Sequence, residues 1–300
     1  MASNQPLRRA GRPSLRSLPH PPLNGQGVRG ATINVTGDCR LCGKSAELQL
    51  SHILPAFVYR WLRATSGNGH IRASNEPNRR AQDGPKRHWL CASCEELFGR
   101  SETAFSRQLF HPYLKAPAGA YRYSSWLLHF CASVAWRVLR FHRDEGHLGS
   151  WDAEALRRVD RAEVVWREFL LGNRIHPDSH QLHLLPLERL ATPADGLSPA
   201  INRYLMRVVA LDVCRRSDTI LTFAKLGRFI VLGFVHEPNP NHWKGSKVHV
   251  AEGSIEPRKY VAPQPFGEYL TRKASEMQVA QSRLSDRQQA RVEKAFRGES

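Results

Sequence analysis

Two Cys-x-x-Cys pairs, Cys39-Arg-Leu-Cys42 and Cys91-Ala-Ser-Cys94, constrain this chain more than any other feature. Zinc takes four soft or borderline ligands in a tetrahedron, and one such turn offers it two sulfurs from the same side. Gly43-Lys44 follows the first pair as the tight turn of a zinc knuckle, and the second pair sits where Trp89-Leu90 gives way to a helix. The positive end of that helix favours thiolate over thiol. A redox dithiol is the competing reading, but no thioredoxin-like pattern surrounds either pair. Four sulfurs leave no open coordination position, so the expected ion is a structural Zn2+ held by Cys39, Cys42, Cys91 and Cys94. Six cysteines in 300 residues are too few for a disulfide framework. The other two, Cys131 and Cys214, lie in apolar surroundings and read as small buried hydrophobes.

Length sets a prior of two domains, or one with an elaborated tail. Residues 1–36 are rich in Pro, Gly, Arg and Asn without apolar periodicity, which reads as a disordered basic arm. Residues 37–115 hold the cysteines. Within them, Glu47–Ile53 reads as a strand, Ala56–Leu62 as a short helix, and 66–86 as a loop rich in Gly, Asn, Pro and Arg. A helix starts near Cys94, with Phe98, Glu102, Phe105 and Leu109 on one face, and His111-Pro112 is expected to end it. Residues 116–270 begin with two amphipathic helices. In the first, Leu127, Phe130, Cys131, Val134, Val138 and Phe141 form one stripe; the second is capped by Ser150, with Leu156, Val159, Trp166, Phe169 and Leu170 inward. Thr219–Phe223, Arg228–Val235 and Lys247–Ala251 read as antiparallel strands, while Ile201–Val213 fits helix and strand equally. His176, His180 and His183 sit between prolines and read as a surface loop. Residues 271–300 are a polar, helical tail. The fold class is α+β: a treble-clef or ββα-like zinc module, then helices and a small antiparallel sheet.

Charge bounds the partners. Lys plus Arg number 44 against 27 Asp plus Glu, and arginine dominates. Such a field draws polyanions, and guanidinium forks suit phosphate. Nucleic acid is the expected partner. Arg60, Arg63, Arg72, Arg79, Arg80, Lys86 and Arg87 crowd the zinc module, interleaved with Tyr59, Trp61 and Trp89, as in a phosphate-tracking surface with stacking contacts. Ordinary solvated loop arginine is the alternative. No apolar run reaches the roughly 18 residues of a membrane span, and no apolar core of a secretory signal precedes the N-terminal prolines. A cytoplasmic protein without a membrane partner is expected.

Knuckle, hairpin and a helix bearing the second pair follow one another in the order of a treble-clef finger. With Ser51-His52-Ile53-Leu54-Pro55 between the pairs, residues 38–115 resemble the HNH endonuclease superfamily. Many members share a knuckle, an apolar-His-Ile-x-Pro element and a second Cys-x-x-Cys. The stretch is also similar to a group of bacterial proteins with Ser-His-Ile-x-Pro between two such pairs. The resemblance covers about a quarter of the chain.

It implies His52 as general base on the attacking water, with a hard divalent cation, Mg2+ or Mn2+, on the scissile phosphate of DNA. Three departures stand out. The metal-binding residue before the histidine is Ser51, a weak ligand. The asparagine that orients the histidine has no clear counterpart, since Lys86-Arg87-His88 occupies that approach. The last histidine would fall near Glu95, a carboxylate suited to a hard ion, with Asp83 of the turn Gln82-Asp83-Gly84 offering a second oxygen. Each has a structural alternative: a hydrogen-bonded hairpin histidine for His52, a helix-dipole partner for Glu95, and an Asx-type turn for Asp83. Glu102 lies roughly 10 Å further along the helix than Glu95, too far to share one ion, and is expected to pair with an arginine. The competing function is a zinc-stabilised nucleic-acid-binding protein without catalysis, and a pure protein-interaction module is a third.

Overall fold

The computed structural model describes residues 35–67, 69–192, 197–258 and 260–290. The basic arm, save the two residues that open the first strand, and residues 291–300 of the tail lie outside them.

The cysteine region opens with β1 (Val35–Asp38), β2 (Ser45–His52) and β3 (Lys86–Cys91), which form an antiparallel sheet in that order. Helix α1 (Ala56–Ala64) branches off after Pro55, and α2 (Ala92–Ala104) runs straight on from β3. Residues 66, 67 and 69–85 form the expected irregular excursion, pinched by one bridge between Ile71 and Ala81. His111-Pro112 does not end the helical run. A π-helical turn (Phe105–Phe110) leads directly into α3 (His111–Lys115). Pro112 lies at the start of α3, and the run passes through it by way of the widened π-helical turn that precedes it. The turn seats Phe105 and Phe110 in the core, with Phe105 stacked on Phe130 at 3.9 Å between ring centroids.

Two long helices follow, α4 (Trp126–Asp144) and α5 (Ala153–Leu170). The second starts later than Ser150 suggests: Asp152 is the cap, its Oδ1 accepting from the Ala155 N–H at 2.9 Å. Helix α4 is not a one-stripe helix. Trp136, Arg137, Leu139 and His142 are buried as well as the stripe, because α2 covers one side and α5 and a sheet cover the others. That sheet has the order β5 (Leu182–Pro186), β8 (Phe229–His236), β7 (Thr219–Leu226), β6 (Val209–Arg216), all neighbours antiparallel. The ambiguous stretch 201–213 is both things in turn: helix α6 (Ile201–Arg207), then β6.

Strands β7 and β8 are apolar at nearly every position because the sheet is covered on both faces. One face joins the core shared with α4 and the cysteine region; the other packs Phe223 and Phe234 on Trp243, Phe266 and Tyr269. Phe266 and Tyr269 belong to the closing helix α7 (Gln264–Ser282), which starts ahead of the tail expected at 271–300 and buries Ala274, Met277 and Ala280. Lys247–Ala251 forms no strand, only a bridge from Lys247 to His183; the partner strand is the short β9 (Gly253–Ile255), paired with β4 (Tyr121–Tyr123). The histidine loop also needs correction. His176 is exposed beside Asp178, but His180 and His183 are buried. Burial pulls His183 down to about 3, which keeps it neutral beside Phe234 and Ser246. No helix among the described residues is long and apolar enough to cross a membrane.

Candidate metal centre and the histidine edge

The four sulfurs of Cys39, Cys42, Cys91 and Cys94 all lie within 4.8 Å of one another. Backbone bonds explain why. The Cys39 N–H reaches the Lys44 carbonyl at 2.9 Å, and the Gly43 N–H returns to the Cys39 carbonyl at 2.8 Å. Gly43 has φ +73°, a conformation that costs glycine little. The Arg40 N–H then binds the Trp89 carbonyl at 2.8 Å, clipping the knuckle to β3. Cys91 ends β3 and caps α2, which places Cys94 one turn on.

The donor set fits a metal such as zinc. A tetrahedron with metal–sulfur bonds of about 2.3 Å has edges of about 3.8 Å, and the Cys42–Cys91 Sγ separation is 3.8 Å. Three of the four cysteines are buried and Cys42 is partly so. Without a cation four thiolates cannot coexist here. Burial and neighbouring sulfurs push the Cys94 thiol up, whereas at Cys91 burial is outweighed by hydrogen bonds from Ser93 and the Cys94 N–H, which bring it to about 6. A bound divalent ion would replace the protons outright.

His52 ends β2, opposite Lys86. Its Nε2 lies 2.9 Å from Asp83 Oδ2. A carboxylate only accepts, so Nε2 carries the hydrogen, and Nδ1 of the neutral ring holds the lone pair. Lys86 Nζ binds the same Asp83 oxygen at 2.7 Å, and the Gly84 N–H binds the other at 2.9 Å. Burial alone would raise the Asp83 carboxyl, but the bonds from His52, Lys86 and Gly84 outweigh it and hold the group well below the usual carboxylate range. The pair stays reachable from solvent, with 19% of the His52 side chain and 36% of Asp83 exposed. Gly84 lies flat on the buried Tyr59 ring: a Cβ there would sit 2.0 Å from Tyr59 Cζ. The turn therefore reaches His52 only because residue 84 has no side chain.

Glu95 does not join this pair. Successive strand residues point to opposite faces, so Ser51 turns inward beneath α2 while His52 turns to the edge. The Ser51 hydroxyl donates to Glu95 Oε2 at 2.6 Å. His52, Asp83 and Glu95 do not bring ligand atoms within 4.8 Å of one another; among the described residues only the cysteines form such a group. Glu102 pairs with an arginine as expected, at 2.6 Å from Arg137 Nη2.

The basic residues are largely engaged within the molecule. Arg87 binds Glu145 Oε1 at 2.6 Å, Arg79 binds Glu76 at 3.2 Å, and Lys86 holds Asp83. Arg63 reaches the Gln82 carbonyl and side chain at 3.3 and 3.2 Å, Arg80 touches His70, and Arg60 is exposed on α1. Arg72 spans to Gln288 near the far end of the described chain at 2.9 Å. The aromatic residues are no stacking platform: Tyr59 and Trp89 are buried, Trp89 against Trp136 and Phe141, and Trp61 packs on Phe110 under Arg207. The residue that sequence reasoning missed is Arg137. Its signal was a lone cation in the apolar run Ala135-Trp136-Arg137-Val138. No family model, no curated protein and no solved structure matches the chain.

Proposed function

We propose that this chain is a zinc-stabilised nuclease of HNH type, acting on phosphodiesters of nucleic acid at His52. The single observation behind this reading is the His52–Asp83 pair, 2.9 Å apart at the solvent-facing edge of a four-sulfur module. In this reading the zinc is purely architectural. It joins knuckle to helix, and so fixes the β2–β3 pairing that carries His52. Asp83 holds the imidazole in one tautomer and stabilises its protonated form, while Nδ1 takes the proton of an attacking water. Asp83 thereby does the orienting work that an asparagine does in the family resembled. Lys86 and the exposed Arg60 supply positive charge for a phosphate. The residues expected to hold a hard divalent cation do not fit one ion, since Asp83 and Glu95 serve opposite faces of β2.

A second reading, nucleic-acid binding without cleavage, draws support from the Lys86–Asp83 ion pair, which occupies the carboxylate next to His52. Nicking of supercoiled plasmid and cleavage of RNA, each with Mg2+ or Mn2+, separates the two. The nuclease reading expects cleavage that His52→Ala removes. Cleavage indifferent to His52→Ala overturns the mechanism. Salt-dependent binding with no cleavage of either substrate establishes the binder, and no binding at low salt rejects both.

A further inference from the structure

We propose that Arg137 is a positioning residue for His52, supplied by the helical body to the cysteine module. The proposal takes its catalytic meaning from the function proposed above. Its geometric content stands apart from it.

Arg137 lies mid-way along α4, outside the stretch that resembles any family, with only 3% of its side chain exposed. Each of its three guanidinium nitrogens is engaged. Nη2 binds Glu102 Oε1 at 2.6 Å, Nη1 donates to the His52 carbonyl at 3.0 Å, and Nε donates to the Ser133 carbonyl at 3.2 Å. The face of the group lies 5.3 Å from the Phe98 ring centre. One planar cation thus joins three elements: α4, the helix α2 that also bears Cys94, and the last residue of β2.

A buried ion pair is weak evidence for stability, since desolvating both charges offsets most of their attraction. An apolar side chain of similar volume would fill the same space against Phe98. What it could not do is hold a carbonyl in a fixed direction. The His52 carbonyl sits where the ladder ends: His52 pairs with Lys86, and beyond it the chain turns through Ile53, whose N–H reaches the Pro85 carbonyl at 3.1 Å. The strand end is therefore gripped from two sides, by the Asp83–Lys86 turn and by Arg137. Glu102 keeps the guanidinium plane in place. Lysine cannot reproduce the fork, because its ammonium is a point donor.

Histidine-labelled full-length, metal-loaded protein tests this by nitrogen-15 NMR, with the His52 Nε2–H resonance as probe of its bond to Asp83. In Arg137→Lys, which keeps the charge beside Glu102, the resonance should shift and its proton exchange with water at least tenfold faster. The sulfur-to-metal charge-transfer band of the Co2+-loaded chain should not change. Glu102→Gln, which preserves shape, should give a smaller change in the same direction. A merely structural Arg137 predicts a lower melting temperature in both variants with the His52 resonance in place, and that result overturns the proposal. In the plasmid assay Arg137→Lys should lower kcat at least tenfold with KM unchanged. A wild type that cleaves nothing defeats the nuclease reading, while the NMR arm still decides whether Arg137 positions His52.

Discussion

Two groups of residues were expected to converge in this chain, and only one does. The sulfurs of Cys39 and Cys42 meet those of Cys91 and Cys94 although Cys42 and Cys91 are 49 positions apart in the chain. His52 and Asp83 lie within that stretch and Glu95 just after it, yet Glu95 faces one side of β2 and the other two face its edge. Each cysteine pair is shaped by its own turn, so only two rigid pieces must be brought together. The three polar residues sit on a strand, a loop and a helix, and strand alternation decides which can meet. Local turn chemistry survives translation from sequence to space; a constellation assembled from separate elements need not.

Removing the metal should produce the largest effect. Structural zinc supplies on the order of 10 kcal/mol or more to small modules, as much as the whole net stability of many domains. Chelation, or Cys94→Ser, should unfold the cysteine module and lift the near-ultraviolet signal of Trp89 from its place on Trp136 and Phe141. Retention of that signal with no bound metal would mean that the sulfurs are merely neighbours, and the contrast between the two groups would vanish.

The two faces of β2 should then differ in activity. Asp83→Ala removes both the acceptor that orients His52 and the charge that stabilises its protonated form, and the nuclease reading expects a loss on the order of a hundred- to ten-thousand-fold. Glu95→Gln, on the far face, should cost only a few-fold. Equal losses in the cleavage assay would show that both carboxylates serve one site in solution.

Gly84→Ala sharpens the comparison sterically. The new methyl would meet the Tyr59 ring at 2.0 Å, so the turn must lift and carry Asp83 from His52. Overpacking of this kind costs about 1–3 kcal/mol. Tyr59→Ala in the same chain should recover part of that loss, and thermal melts of the two single variants and the double variant measure the coupling. Strict additivity would place the Asp83 turn elsewhere.

How far the molecule was legible follows from the same distinction. The strand ending at His52, the helix after Pro55 and the apolar strands Thr219–Leu226 and Phe229–His236 follow periodicity and turn residues closely. In the sequence α4 shows a single apolar stripe, and Arg137 and His142 look like solvent positions; they are buried because neighbours enclose the helix and satisfy the guanidinium. Lys247–Ala251 has strand composition but no partner edge to pair with, and His180 and His183 look solvated until β5 carries His183 into the core. At the candidate site the four sulfurs follow directly from the two Cys-x-x-Cys pairs. The sequence offers Asp83 as an oxygen donor without saying that it meets His52, because a hydrogen bond and a metal bond use the same oxygen.

The smallest effect expected is a pH dependence confined to the histidine edge. The Asp83 carboxyl is held below its unfolded value, mainly through His52 and Lys86 against the opposing pull of burial. A depressed acid contributes stability that is fully present above the unfolded pKa of about 3.9 and fades as pH falls toward the folded value. With 36% of Asp83 exposed, solvent screening limits that contribution to about 1 kcal/mol or less. Melting wild type and Asp83→Asn side by side between pH 6 and pH 3 should show the two curves converging as the solution becomes acidic. The cysteine centre also weakens in acid, because its ligands bind protons in competition with the metal, but it does so equally in both chains and cancels in the difference. A gap that stayed constant down to pH 3 would mean that Asp83 contributes shape rather than charge, and the edge would then resemble the Ser51 side of the strand after all.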